Sequence, residues 1–522
     1  MSETTVRPPG DPDPTPEPDP TPESTAESPP EHTPGAASRG GGARPWRGLV
    51  LRLHFYAGIL VGPFILIAAL TGTGYALTPQ LESWLYHDEL TATSTATPLP
   101  LADQVHAAEQ ATPDGALHAV RPAPEAGDTT RVLFTTPELG ESEWHTVFVD
   151  PGDAAITGEL TTYGTSGVLP LRMTLDQLHR SLLLGEPGRV YSELAASWLA
   201  VVAVGGLALW LARRRTRTAS AKAATGKAAS GKAVSGTVTS GRARTVRWHG
   251  RLGVWVLAGA LMLSATGLTW SAYAGANVSD LRAALGWNTP ELDASGGEHA
   301  GHEGHAGHEG HGSHEGHGDH GHGSHGGHGD HAGHTDAADV DEVLRAARGA
   351  DIDAGQLEIT PPAEDGGAWA VTEIDRSWPT QVDAVAVDAA QGEVVDEVRF
   401  EDYPLVAKLA RWGIDLHMGS LFGWANQILL VALGLGLAAM TVLGYRMWWQ
   451  RGARRAFGTP IPRGQWRRVP PWALAVGTLA AVGIGWFVPL LGLSLVAFLL
   501  VDVAVGWVGR RRASARAEEV ST

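Results

Sequence analysis

The chain has 522 residues, of which 43% are hydrophobic and only 18% charged, with 39 Lys and Arg against 56 Asp and Glu for a formal charge of −17. The two signs sit in separate blocks, so one broad basic face for nucleic acid is not expected. Cysteine is absent, which excludes disulfides, iron–sulfur clusters, thiolate zinc sites, a cysteine nucleophile and covalently attached c-type haem.

Residues 1–45 are rich in Pro, Glu and Asp with no apolar pattern, and read as a disordered cytoplasmic tail. Long uncharged stretches follow: Phe55–Leu77, Leu194–Ala212, Leu252–Ser279, Met418–Tyr445 and Val469–Val501. About 20 apolar residues cross a bilayer as a helix. The first four therefore predict transmembrane helices, within 46–78, 176–213, 247–276 and 404–449. The segments 176–213 and 404–449 each begin with a short helix lying on the outer surface. The last stretch is 33 residues long with Pro489 near its middle, which predicts a hairpin over 471–509. The 19 tryptophans suit membrane interfaces.

Arginine and lysine cluster in 214–246, a flexible basic linker, in 450–470, a basic loop, and in the tail 510–522. The positive-inside rule places all three in the cytoplasm. Six spans with both termini cytoplasmic satisfy all three; five spans do not. Residues 79–175 and 277–403 then face outward.

Self-comparison reveals an internal repeat. Arg52, Leu53, His54, Gly58, Thr71 and Gly72 correspond to Arg247, Trp248, His249, Gly253, Thr266 and Gly267 at an offset of 195. Val147, Val149, Asp150, Leu178, His179, Gly185 and Trp210 correspond to Val385, Val387, Asp388, Leu416, His417, Gly423 and Trp448 at an offset of 238. The expected fold is an α-helical integral membrane protein of about six transmembrane helices, built by parallel duplication, with two small extracytoplasmic α+β domains.

Parallel repeats are related by a pseudo-two-fold axis along the membrane normal. That places His54 opposite His249 near the inner face and His179 opposite His417 near the outer face. Facing imidazoles suit the axial positions of a planar haem, two haems in all. A divalent metal ion or a proton path remain open alternatives. Zinc is the weaker fit, because no carboxylate or third histidine completes either pair. Gly185-Glu186-Pro187-Gly188 should break the chain after His179. Arg52 and Arg247, two residues before the inner histidines, are placed to pair with haem propionates or to serve as ordinary positive-inside arginines.

The first outer domain, 79–175, has a helix over Leu101–Gln110 and strands over Arg131–Phe134 and Glu143–Val149. The second, 339–403, has a helix over Val340–Ala347 and strands over Trp369–Ile374 and Gln381–Val387, with a turn at Gly392. Between them, 277–338 is a linker holding a histidine-rich tract, 299–334. Its histidines are His299, His302, His305, His308, His311, His314, His317, His320, His322, His325, His328, His331 and His334. No large apolar residues accompany them, so the tract reads as disordered. Imidazole suits copper, zinc or nickel, and loose metal capture is one reading; an incidental low-complexity insertion is the other. Residues 335–403 carry 18 acids against 4 bases, a surface that attracts cations and repels anions.

In order, the motifs RLHFYAG, VFVD (147–150), LHRSLLLGEPGR (178–189), RWHGRLG, VAVD (385–388) and LHMGSLFG (416–423) resemble the PepSY-associated transmembrane family of bacterial membrane proteins. The resemblance covers roughly 46–450. It implies that the outer modules are PepSY domains. It further implies a cytoplasmic-membrane protein that binds haem b, two groups in bis-His coordination, through His54, His249, His179 and His417. The implied activity is reduction of an extracytoplasmic ferric siderophore or other metal complex in iron acquisition. No Gly-x-Gly-x-x-Gly fingerprint follows a strand, so a separate electron donor is expected, a quinol or a cytoplasmic reductase. The alternatives are a non-redox metal-binding accessory using the histidine tract, or a PepSY-type regulator of a peptidase.

Overall fold

The computed structural model describes residues 45–140, 142–164, 166–225, 241–295, 339–363, 367–450 and 469–521. The acidic tail, the middle of the basic linker, the histidine tract with its thirteen histidines, and the loop 451–468 lie outside the described residues.

The helical body contains α1 (Pro45–Ala76), α6 (Glu186–Thr225), α7 (Gly241–Trp255), α8 (Leu257–Thr269), α12 (Gly423–Trp449), α13 (Pro471–Phe487) and α14 (Pro489–Ser521). Among the described residues, four helices are long and apolar enough to cross a membrane: Arg47–Ala76, Glu186–Arg215, Gly423–Trp449 and Pro489–Arg511. The pair α7 and α8 makes a fifth if counted as one bent span. The expected hairpin is present as α13 and α14, but α13 has only 17 residues. At about 1.5 Å per residue it is shorter than a bilayer core about 30 Å thick. Its apolar side chains are bare, Trp486 being 85% exposed and Leu479 74%. Such surface is at home in lipid, and the chain is a multi-pass membrane protein.

Two expectations need correction. The span expected over 247–276 is not one straight helix; it bends by 59° between Trp255 and Leu257 and ends at Thr269. No proline causes the bend. Gly253 and Gly259 flank it, and glycine weakens a helix interior by about 1 kcal/mol. A close approach rewards the bend: a Cβ on Gly436 would lie 2.7 Å from Val256, and one on Gly259 only 2.5 Å from Leu433. The linker expected over 214–246 is also shorter than expected, because α6 continues as helix to Thr225 and α7 begins at Gly241.

α1 is gripped from two sides. Ala57, Val61 and Phe64 pack with Ala195, Trp198 and Leu491. Ala69 packs with Val256, Ala260, Leu433 and Leu437.

Outside the helical body, the strands among the described residues form one eight-stranded antiparallel sheet. Its strands are β1 (Ala116–Arg121), β2 (Thr130–Thr135), β3 (Glu143–Val149), β4 (Ile156–Tyr163), β5 (Leu357–Thr360), β6 (Trp369–Glu373), β7 (Ala384–Asp388) and β8 (Glu393–Val398), in the order β4-β3-β2-β1-β5-β6-β7-β8. The sequence suggests two separate modules; the structure joins them edge to edge where Val120 on β1 faces Ile359 on β5. Joining sets one edge strand of each half against the other, which shields both edges from pairing with another chain. Helices α4 (Leu101–Ala111) and α10 (Val340–Gly349) cover one face. Alternation along the strands supplies a common core there: Val120, Val132, Phe134, Val147, Val149, Ile359, Val371, Val385 and Val387 meet Leu101, Val105, Val340 and Val343. Each such side chain contributes about 1.5–3 kcal/mol when fully buried. Asp341 on α10 accepts hydrogen bonds from Leu101 N and Ala102 N at the start of α4, at 2.9 and 3.0 Å, so each half caps the other.

The opposite face of the sheet looks toward short helices that link it to the helical body: α2 (Thr78–Leu85), α3 (His87–Leu90), α5 (Pro170–Ser181) and α11 (Leu405–Met418). The remaining helix, α9 (Ala272–Ala284), follows α8.

Candidate functional site

His54 lies on α1 and His249 on α7, and their ring centres are 6.3 Å apart with planes at 79°. His179 ends α5 and His417 ends α11, and their ring centres are 6.4 Å apart with planes at 85°. All four sequence-predicted histidines are therefore brought together in the two expected pairs. Thr71, which touches His179, sits 17 residues beyond His54 on α1, so the pairs are about 25 Å apart along that helix.

Local structure explains how His179 and His417 come to face inward. Leu182, Leu183 and Gly185 all have positive φ, at 55°, 57° and 61°, so α5 stops two residues after His179 and α6 starts afresh at Glu186. The chain turns where the GEPG segment suggests. Gly419 does the same for α11 with φ of 90°, and Asn426 Nδ2 donates to Leu416 O at 2.9 Å to hold the turn.

In each pair the Nδ1 atoms have a defined partner. His54 Nδ1 is 2.9 Å from Val202 O, and His249 Nδ1 is 3.2 Å from Met440 O. A carbonyl only accepts, so Nδ1 carries the proton and donates. His179 Nδ1 is 3.0 Å from Thr71 Oγ1, and His417 Nδ1 is 2.5 Å from Thr266 Oγ1. Each threonine hydroxyl donates its one proton backward, Thr71 to Ile67 O at 2.8 Å and Thr266 to Met262 O at 2.8 Å. The hydroxyl oxygen is left as acceptor, and Nδ1 again donates. All four rings thus hold the same tautomer, with an unprotonated Nε2 free to ligate.

A glycine lies against every ring. A Cβ on Gly206 would sit 3.1 Å from His54 Cε1, one on Gly72 3.2 Å from His179 Cε1, and those on Gly444 and Gly267 4.0 Å from His249 and His417. Gly206 and Gly444 each lie four residues after the carbonyl their histidine uses, where a bare Cα leaves that carbonyl open to a second donor. The partners keep the sequence offsets: 202 and 206 become 440 and 444 at 238, and 71 and 72 become 266 and 267 at 195. Sequence reading marks Thr71, Thr266, Gly72 and Gly267 as matched positions but gives them no role. Val202, Met440, Gly206 and Gly444 escape it, although the same offset of 238 relates them.

The two arginines part company. Arg52 is buried and forms an ion pair with Asp502 on α14, a residue sequence reading passes over. Arg247 is exposed. Near the second pair, Asp415 is fully buried and accepts from Arg411 Nε at 3.1 Å. Burial pushes its carboxyl above the usual range, against the pull of Arg411 and Arg376. Among the described residues, no three His, Asp or Glu side chains gather as a metal site.

The PepSY-associated TM region family model matches residues 51–451. That stretch contains both histidine pairs and the whole sheet, and leaves out α13 and α14. No curated protein matches the chain.

Proposed function

We propose, for a chain that belongs to the PepSY-associated TM family, a membrane reductase that holds two haem b groups between its paired histidines and passes electrons outward to an extracytoplasmic ferric complex, such as a ferric siderophore, in iron acquisition. The observation that carries this reading is the spacing of the rings. Two ring nitrogens each about 2.0–2.1 Å from one metal ion, with half a ring on either side, put the ring centres about 6 Å apart. The pairs stand at 6.3 and 6.4 Å. Two imidazoles per site, with no third His, Asp or Glu gathered beside them among the described residues, fit an ion whose remaining positions a macrocycle would fill. The fixed tautomers and the glycine beside each ring supply free nitrogen and room.

Haem so bound supplies reversible one-electron chemistry. The protein's part is to hold the imidazoles, to donate Nδ1 protons to fixed acceptors, and to keep water from the inner pair with the α1, α6 and α12 packing. The matched contacts at offsets of 195 and 238 support a parallel duplication, the axis of which passes between the rings of each pair. Six spans, with α13 as a short sixth, are the count that leaves the arginine clusters at 213–215 and 510–512 on one side of the membrane. The exposed Arg213, Arg214 and Arg215 at the end of the second span favour a cytoplasmic placement of that end and of both termini, in a bacterial cytoplasmic membrane. The sheet and the His179–His417 pair then face outward. A quinol or a cytoplasmic reductase supplies electrons at the His54–His249 end.

Detergent-solubilised protein should show a Soret band that shifts on adding dithionite. His54→Ala and His249→Ala should each remove the same haem and spare the other, and reduced protein should convert a ferric chelate to ferrous iron, read with a ferrous indicator. Colourless protein would overturn the proposal.

A further inference from the structure

The face of the sheet opposite its two covering helices carries an excess of guanidinium groups. Arg121 on β1 stands directly opposite Arg131 on β2 in the strand register, and like charges so placed repel. Arg121 is satisfied: its Nε and Nη2 donate to Glu358 at 2.8 and 2.5 Å, and Nη1 to Ser166 O at 3.0 Å. Arg131 is not. Its guanidinium lies 5.7 Å from the Phe148 ring centre and makes no ion pair or hydrogen bond among the described residues. Burial, and then Arg121 nearby, hold it down at about 10, with Arg172 adding to the repulsion and Asp128 and Glu82 opposing it.

The helical side contributes more of the same sign. Arg172 on α5 pairs with Glu82 at 2.8 Å, and Arg411 on α11 with Asp415. Arg376, in the loop after β6, donates to Met418 Sδ at 3.6 Å, next to His417, and to no other group among the described residues. Burial lowers its pKa, followed by Arg411. Five arginines thus converge on the space between the sheet and the His179–His417 pair, where three carboxylates, Glu358, Glu82 and Asp415, form ion pairs. Two guanidiniums, Arg131 and Arg376, form no ion pair among the described residues in a largely enclosed place, which is costly unless an anion completes the set.

We propose that this space is a binding site for an oxygen-rich anion, anchored by Arg131 and Arg376. Guanidinium forks match carboxylates. The carboxylate belongs either to an anionic ferric chelate or to the propionates of a haem at the outer pair. The inference rests on the reductase reading above and refines its substrate class. It also runs against the expectation from the acidic composition of 335–403, which favours cationic complexes. Several of those acids serve internal roles: Asp341 caps α4, Glu373 accepts from Asp353 N and Ala354 N at 2.9 Å, and Asp383 accepts from Phe400 N at 2.7 Å.

The test uses the full chain in detergent and gallium(III) citrate, a redox-inactive mimic of a ferric carboxylate chelate, so binding is read apart from electron transfer. Arg131→Gln and Arg376→Gln should each weaken binding about tenfold or more, and rising salt should weaken the wild type. Arg131→Lys should retain part of it. Arg345→Gln, on the exposed side of α10, should bind as the wild type does. If instead the two Gln variants keep citrate binding but lose or shift the outer haem's Soret contribution, the carboxylates are the propionates. If Arg131→Gln and Arg376→Gln change neither, or if a gallium trihydroxamate bearing an ammonium group binds better than the citrate, the anion site is wrong. A missing Soret band with intact, arginine-dependent citrate binding would sink the reductase reading and leave the site standing.

Discussion

Arg52 on α1 and Asp502 on α14 form an ion pair across 450 residues of sequence. It ties the C-terminal hairpin, which the family model does not cover, to the helix that carries His54. The side chains are 9% and 24% exposed, so the pair is largely desolvated. Asp502→Asn should destabilise the protein by about 3 kcal/mol, the lower end for breaking a buried pair because Asp502 keeps some access to solvent. Arg52→Met combined with Asp502→Leu should recover most of that loss. Thermal unfolding in detergent checks both, and equal melting of Asp502→Asn and wild type would show the pair to be idle.

The glycines beside the histidines differ in clearance, which gives an asymmetric expectation. A methyl group at Gly206 or Gly72 would come within 3.1–3.2 Å of an imidazole carbon, whereas at Gly444 or Gly267 it would find 4.0 Å. Gly206→Ala and Gly72→Ala should therefore displace His54 and His179 and lower haem retention, while Gly444→Ala and Gly267→Ala should be tolerated. Haem content per protein after size-exclusion chromatography measures this. Equal retention in all four variants would mean that the rings have more freedom than their packing shows.

The threonine contacts bear on redox tuning. An Nδ1–H donated to Thr71 or Thr266 makes the imidazole more basic and favours the ferric state. Thr71→Val and Thr266→Val keep the shape and remove the acceptor, a loss of about 1 kcal/mol each. Both should raise the potential of the outer haem and leave the inner one unchanged. A spectroelectrochemical titration separates the two, and a shift confined to the inner haem would assign the contacts wrongly.

How far the site could be read from sequence follows from what repeats leave behind. His54, His249, His179 and His417 stand out because they recur at matched offsets of 195 and 238 with the residues around them, and the structure sets them in the pairs those offsets suggest. The break after His179 was legible in part: Gly185 suits positive φ, whereas Leu182 and Leu183 adopt it too and carry no such mark in the sequence. The carbonyls of Val202 and Met440 were hidden, since a backbone acceptor leaves no residue type to recognise. Asp502 was hidden because a lone carboxylate at the edge of an apolar run reads as its boundary. The join between β1 and β5 was hidden too: Val120 and Ile359 look like ordinary core residues, and nothing local says which edges meet. The bend at Val256 depends on Gly436 from a distant helix, so no window of sequence around it contains the cause.

Asp150, fully buried at the end of β3, accepts from Thr93 N, Ser94 N and Gly152 N at 2.7–2.9 Å and from the Thr93 hydroxyl at 3.3 Å. Burial alone would raise its pKa, but these donors outweigh it and hold the carboxyl below the usual range. A depressed native pKa means that the stabilisation is fully present above the unfolded value of about 3.9 and is lost as pH falls through it toward the native value. Asp150→Ala should cost about 2–3 kcal/mol at neutral pH, the scale of hydrogen bonds to a charged group. The gap between wild type and variant should then close as pH is lowered below about 4. Calorimetric melting of both proteins at pH 7 and pH 3 tests the sign, and a gap that widens in acid would show that the donors do not hold the carboxylate form. Asp388, the matched residue on β7, accepts from Ala390 N and Gln391 N at 2.9 and 3.2 Å in an exposed turn. Its replacement by Ala should cost less, because water can replace both donors' partner.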